Sequence, residues 1–315
     1  MKRGHGSAGE AEFIRTFLLP YEPKAFVDDK GEVMAYLIVT DPESKVLFSC
    51  HTDTVHRSND TLKGEDILNP ILNPVQVEDG FAFKGDETPL GADDGAGIWL
   101  MLEMIDAGIP GSYAFHRGEE RFGIGSSWMA HNESEFLSKF NFAIAFDRRG
   151  QTDVITHQGG KRGCSDEFAL ELATMLPKGL EPCSEGIFTD TAHYFTLIPE
   201  CTNVSVGYER EHSALEYLDI GFLFDLRDAL IQNFDETRLP VVRSCIPMIE
   251  NEDDVRNADW EEVEAWVARS DPYDVTNLLK KMAWELEEFA YKLDDANLVL
   301  DAAEDRLDYL KAVDF

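Results

Sequence analysis

Five short segments carry residue types that bind metals or move protons: His51-Thr52-Asp53-Thr54-Val55, Leu90-Gly91-Ala92-Asp93-Asp94-Gly95-Ala96-Gly97, Glu119-Glu120, Asp147, and His212 within Tyr208-Glu209-Arg210-Glu211-His212-Ser213. Imidazole and carboxylate together suit zinc, and the same donors accommodate manganese or cobalt. Asp93 beside Asp94, and Glu119 beside Glu120, concentrate negative charge that would be costly in a cleft unless divalent cations compensated it. Each segment alone is ordinary in so acidic a chain. Their order is informative, because each falls at the end of an apolar run or the start of a helical pattern, where one cleft can collect them all. A Gly-x-Ser-x-Gly elbow and a Gly-rich phosphate loop are absent, which argues against a serine hydrolase and a kinase.

The elements that must position these residues alternate apolar strand patterns with helix-period segments from about residue 7 to residue 235. That is the pattern of an α/β domain with a mixed, mostly parallel central sheet flanked by helices. A first helix opens at Ser7, with Glu10 at capping-box spacing, and runs through Phe13, Ile14, Phe17 and Leu18 to Pro20. Strands are expected at Val33–Val39, Lys45–Cys50, Ser112–His116, Asn141–Phe146, Val154–Gln158 and Asn203–Tyr208. Ligands of open α/β sheets bind beyond the carboxyl ends of strands, so the site belongs at that edge. Gly91, Gly95 and Gly97 surround Asp93 where backbone must approach closely, although loops at helix starts also use glycine.

The five motifs, in this order, resemble those of the co-catalytic zinc exopeptidases, a superfamily that includes peptidase T, glutamate carboxypeptidase and the shorter single-domain aminopeptidases. The resemblance spans Ser7 to Asp235. It implies His51 and Asp147 as ligands of one metal, Glu120 and His212 as ligands of the other, and Asp93 as the carboxylate that bridges them. It further implies Asp53 as the residue orienting the first imidazole, Glu119 as the general base, and a cis peptide at Asp93–Asp94. Elementary chemistry is consistent with these roles. Asp53 lies two residues beyond His51, on the same side of a strand end, and can accept from the ring N–H. With Glu120 on a metal, Glu119 is left facing a water whose pKa two cations would lower. The superfamily's two-domain members insert a lid between the last Asp and the last His. The 65-residue step from Asp147 to His212 leaves no room for one, so a lidless enzyme is expected, with His51–Val55 and Leu90–Gly97 closest to peptidase T.

Weaker candidates surround these motifs. Asp190, in Ile187-Phe188-Thr189-Asp190-Thr191, resembles a cleft residue of the short aminopeptidases and is equally a helix N-cap. His56, His116, His157 and His193 read as packed or surface histidines, since five primary groups already complete two metal sites. Lys161 and Arg162, after Gly159-Gly160, suit either a substrate carboxylate or carbonyl, or a solvated turn.

Lys and Arg number 28 against 61 Asp and Glu, a net charge of −33 that disfavours nucleic acid and anionic membrane surfaces as partners. No apolar run reaches the length of a transmembrane span, and Met1–Glu10 has no signal-peptide core, so a soluble, cytoplasmic protein is expected. The five cysteines lack metal spacing and read as mostly buried free thiols. Past Pro240 the acidic stretch Glu250–Asp254 precedes a helical segment near Trp260–Val267. From Leu279 to Leu310 apolar residues then step by three and four in a heptad seam. The chain therefore divides into a metallopeptidase domain, 1–235, and an acidic linker with a helical coiled-coil tail, 236–315, which either lies on its own domain or makes a homo-oligomer.

The function expected is that of a dinuclear zinc aminopeptidase acting on short peptides. A carboxypeptidase or N-acyl-amino-acid deacylase of the same fold is the enzymatic alternative. An inactive scaffold that assembles through its tail is the non-enzymatic one.

Overall fold

The computed structural model describes residues 2–55, 75–85, 88–243 and 245; His56 and the heptad seam lie outside them. Fourteen strands occur among the described residues: β1 (Lys24–Val27), β2 (Val33–Val39), β3 (Val46–His51), β4 (Val75–Glu78), β5 (Phe81–Lys84), β6 (Ser112–His116), β7 (Phe142–Arg148), β8 (Asp153–Ile155), β9 (His157–Gln158), β10 (Lys161–Arg162), β11 (Glu181–Cys183), β12 (Glu200–Ser205), β13 (Tyr208–Glu209) and β14 (Tyr217–Asp219). Eight form a central sheet in the order β1-β2-β6-β3-β7-β12-β8-β11. Its middle pairings, β6 with β3, β3 with β7 and β7 with β12, are parallel, while β1 and β2 run antiparallel at one edge. The fold is thus the expected mixed, mostly parallel sheet with flanking helices.

Alternation along the central strands decides which residues face which layer. Phe48 and Cys50, Tyr113 and Phe115, and Phe142, Ile144 and Phe146 enter one apolar cluster with Leu100, Met101 and Met104 of helix Ala92–Asp106. Leu47, Ala114 and Ala143 enter the other, with Met129 and Tyr194. Side chains of this size stabilise by about 1.5–3 kcal/mol each when fully buried, which makes the strand ends a rigid platform for whatever projects beyond them. Gly97 fixes the helix against that platform, because a Cβ there would sit 2.0 Å from the carbonyl oxygen of Phe146.

Several elements differ in detail from the sequence reading. The first helix has its Ser7 cap, whose hydroxyl accepts from the Glu10 N–H at 3.1 Å, but it is α-helical only over Ala8–Phe13. A π turn over Ile14–Leu18 and a 3-10 turn at Leu19–Tyr21 then continue it to Glu22, which has φ of 51°. Glu10 does not close the box on Ser7. It accepts from the Gly6 N–H at 2.6 Å and pairs with Arg117 at 2.8 and 3.0 Å, because a fully buried carboxylate needs a charged partner. The expected Val154–Gln158 strand breaks at Thr156, and its end turns into the hairpin β9–β10. The last central strand begins earlier than its apolar residues suggest, at buried Glu200. That carboxylate is satisfied by the Ser165 hydroxyl and by the backbone N–H groups of Ser165, Val242 and Arg243. Strands β1, β4 and β5 escape the apolar pattern because β1 and β4 are largely exposed and β5 is short. Residues 236–243 continue against the α/β body, with Leu239 in its core and Glu236 accepting from Ser44 at 2.5 Å.

Among the described residues no helix is long and apolar enough to cross a membrane.

Candidate metal centre

His51 ends β3, Asp147 lies near the end of β7, Asp93 stands at the head of helix Ala92–Asp106, and Glu119 and Glu120 follow β6 in a single 3-10 turn. His212 lies on the turn between β13 and β14, with φ of 60°, a left-handed conformation uncommon for non-glycine residues. Parallel pairing of β6, β3 and β7 brings three of these ends to one sheet edge.

Asp93 is the centre of the arrangement. Its Oδ1 lies 3.1 Å from His51 Nε2 and its Oδ2 lies 2.9 Å from His212 Nε2. Around the first imidazole, Asp147 Oδ1 stands at 3.4 Å and Glu119 Oε2 at 3.9 Å; around the second, Glu120 Oε1 stands at 2.9 Å. Two three-residue sets, His51–Asp93–Asp147 and Asp93–Glu120–His212, therefore share one carboxylate, each with its donor atoms within 4.8 Å of one another. Glu119 and Glu120 also fall within such reach of His51. The donor set suits divalent cations: two imidazoles and four carboxylates converge, and their like charges must be offset by protons or cations. The peptide between Asp93 and Asp94 is cis, as the resemblance implies.

Protonation of the metal-free site follows from this crowding. Burial disfavours the charged form of His51, yet Asp147, Asp53 and Asp93 outweigh it and hold its pKa well above the ordinary value. Hydrogen bonds to Asp93 and Glu120 raise His212 to about 11. Burial pushes Glu120 up to about 7 against the pull of His212. Burial, reinforced by Asp147, Asp190 and Glu120, lifts Glu119 well above the carboxylate range despite His51. Asp93 moves the other way, since its bonds to His212 and His51 exceed the effect of its burial.

A further layer holds these groups in place. Asp53 Oδ1 accepts from the backbone N–H groups of Gly118 and Glu119 at 3.0 and 3.1 Å, tying the β3 end to the glutamate turn. The ring N–H of His51 is met at 3.0 Å by the carbonyl oxygen of Asp53, and the carboxylate stands further off at 3.5 Å. Asp147 receives the Thr189 hydroxyl at 2.7 Å and the Tyr208 hydroxyl at 3.1 Å, while its backbone exchanges two hydrogen bonds with the Asn203 amide. Glu216 accepts from the backbone N–H groups of Gly91, Ala92 and Asp93 at 2.8 to 3.0 Å, bracing the turn that carries the shared carboxylate. Sequence reasoning singled out the segment that holds Thr189, though only for Asp190, and missed the supporting roles of Tyr208, Asn203 and Glu216. The one available signal was that Glu216 follows His212 by four residues, and an acidic residue attracts no notice in this chain.

Of the weaker candidates, His116 is packed between Ser49 and the Tyr194 hydroxyl, at 3.3 and 2.6 Å, with Asp190 Oδ2 3.4 Å away. Asp190 is buried, and neither of its oxygens has a hydrogen-bond partner among the described residues. His193 meets Ser126 at 2.8 Å and His157 meets its neighbour Thr156 at 2.9 Å. Arg162 is engaged with Asp166 and the carbonyl of Cys164 rather than directed to the cleft, and Lys161 is exposed in the same hairpin.

No protein-family model and no curated protein matches the chain. Solved structures do. Aminopeptidase PepT from Bacillus cereus superimposes with a TM-score of 0.52 at 13% identity, covering 73% of this chain and 93% of that one. The Pyrococcus horikoshii TET1 peptidase, which can assemble into a tetrahedron or a large octahedral shell, gives 0.52 at 16% identity over 75% and 96%. An aminopeptidase from the archaeon Desulfurococcus kamchatkensis gives 0.51 at 13% identity over 80% and 96%. The chain thus has the fold of these peptidases, which is the fold implied by the motif resemblance.

Proposed function

We propose that this chain is a dinuclear metal-dependent exopeptidase, with zinc as its metal, that removes the amino-terminal residue of short peptides. The observation that carries this reading is Asp93, whose two oxygens face imidazoles from residues 51 and 212, with one further carboxylate beside each. That aminopeptidases share the fold supports the reaction class. His51 and Asp147 would hold one cation, Glu120 and His212 the other, and Asp93 both. When bound, the pair would supply Lewis acidity toward the scissile carbonyl and the attacking water. Glu119 takes the proton from that water and delivers it to the leaving amine, a task suited to a buried carboxyl whose pKa is raised. Asp53 fixes the backbone of Glu119 and the ring of His51 together, so the base and the first ligand keep their spacing. The net reaction is hydrolysis of an amide bond.

Elemental analysis combined with blocked dipeptides tests the reading. We expect about two metals per chain, loss of activity on their removal, and hydrolysis of C-blocked but not N-blocked substrates. A requirement for a free carboxylate moves the assignment to a carboxypeptidase or an N-acyl-amino-acid deacylase. Full metal loading without amide hydrolysis leaves a scaffold.

The heptad seam from Leu279 to Leu310 is proposed to join copies of the chain, as the periodicity favours helix pairing. Because Leu239 and Glu236 belong to the α/β body, the informative truncation ends after Cys245 rather than at Asp235. Light scattering should show a smaller assembly for that shortened chain, and an unchanged mass would discard the proposal. All five cysteines are free and three are buried, in keeping with a cytoplasmic protein.

A further inference from the structure

Arg3 lies far from the motifs in sequence and directly behind them in space. Its side chain is 4% exposed. Nε donates to the carbonyl of Thr52 at 3.0 Å, and Nη2 donates to the carbonyl of Gly91 at 3.2 Å. Thr52 follows His51 in the chain, and Gly91 stands two residues before Asp93. The Arg3 backbone N–H donates to the Thr54 hydroxyl, and its carbonyl accepts from the Thr54 N–H, both at 3.1 Å, on the far side of Asp53. The flat guanidinium lies over the Phe13 ring with its carbon 4.5 Å from the centroid. Room for it comes from two glycines of the Asp93 turn: a Cβ on Gly91 or Gly95 would lie 3.2 or 3.5 Å from its nitrogens. Asp53, Asp93, Asp94 and Glu216 are its charged neighbours, and all are buried.

We propose that Arg3 is a positioning residue of the metal centre. One planar fork joins the segment bearing His51 to the turn bearing the shared Asp93, and sets the distance between the first ligand and the carboxylate that serves both sites. It touches no reacting atom. Fixed charge alone would not need this geometry, since a point charge attracts the same carboxylates from many positions. Two carbonyl acceptors on separate segments, addressed by two nitrogens of one rigid plane, do need it. The inference rests on the dinuclear reading of the site.

The test compares wild type, Arg3→Met and Arg3→Lys by zinc competition against a chelating indicator and by the visible spectrum of the cobalt-loaded protein. Partners of metal ligands typically affect affinity about 10- to 100-fold, so Arg3→Met should bind zinc at least about tenfold more weakly and shift the cobalt bands. Arg3→Lys should fall almost as far, because one ammonium cannot replace both arms of the fork. Wild-type affinity and spectrum in Arg3→Met overturn the proposal, and a fully rescued Arg3→Lys replaces positioning by simple charge compensation. If Arg3→Met fails to fold, Phe13→Leu serves instead: it removes the surface under the guanidinium and should weaken zinc binding in the same direction, and unchanged binding there counts against the proposal. A wild-type protein that binds no metal defeats the dinuclear reading itself. A wild type that binds two metals beside an unaffected Arg3→Met defeats only the role of Arg3.

Discussion

Glu119→Gln should lower amide hydrolysis by about 100- to 10,000-fold while leaving metal content at its wild-type level. The substitution keeps shape and removes only the ability to take a proton. Glu119 is the right group to lose because its carboxyl is buried and its backbone is held by Asp53. Its Oε2 also lies further from His51 Nε2, at 3.9 Å, than the oxygens of Asp93 and Asp147, at 3.1 and 3.4 Å. Without metal, burial raises its pKa well above the carboxylate range, and cations among the same carboxylates would lower it again and favour the ionised base. Turnover assays paired with metal analysis separate the outcomes. Full activity removes the base assignment, and loss of metal makes Glu119 a ligand.

Metal binding should be steeply proton-linked, the second large effect. His212 is raised to about 11, which keeps its imidazole protonated at neutral pH in the metal-free protein, and the carboxylates around His51 shift it in the same direction. Coordination requires the neutral ring, so each site must expel a proton. The sign follows: affinity rises with pH up to the metal-free pKa of each imidazole and falls as pH drops, by about tenfold per pH unit for every proton displaced. Below pH 7 the dependence should steepen, because Glu120, at about 7, begins to need deprotonation too. Titration calorimetry in buffers of different ionisation enthalpy counts these protons directly. Zinc affinity independent of pH, with no proton release, would mean that the ion pairs of Asp93 with the two histidines do not form.

The motifs were legible in the sequence through their types and order, and the resemblance that order carries implied their roles. A His-x-Asp after an apolar run, paired acids and a glycine-flanked Asp can be recognised within a few residues. What escaped was held by distance. Glu216 supports Asp93 from 123 residues away, and Arg117 neutralises Glu10 from 107 residues away. The expected Val154–Gln158 strand failed for a similar reason, since β8 and β9 find different partners and apolar character carries no record of pairing.

Residue type and order alone indicated the α/β class, the segments that carry the candidate ligands and the acidic balance of the chain, because binary patterning and charge are properties of the chain itself. Only tertiary structure decided that Asp93 turns one oxygen to each imidazole, that His51 leans on a backbone carbonyl more closely than on the Asp53 carboxylate, and that Arg3 lies beneath the site. Those outcomes depend on parallel register and on helix placement against β7. Both arise from packing between segments far apart along the chain, where local composition exerts no control.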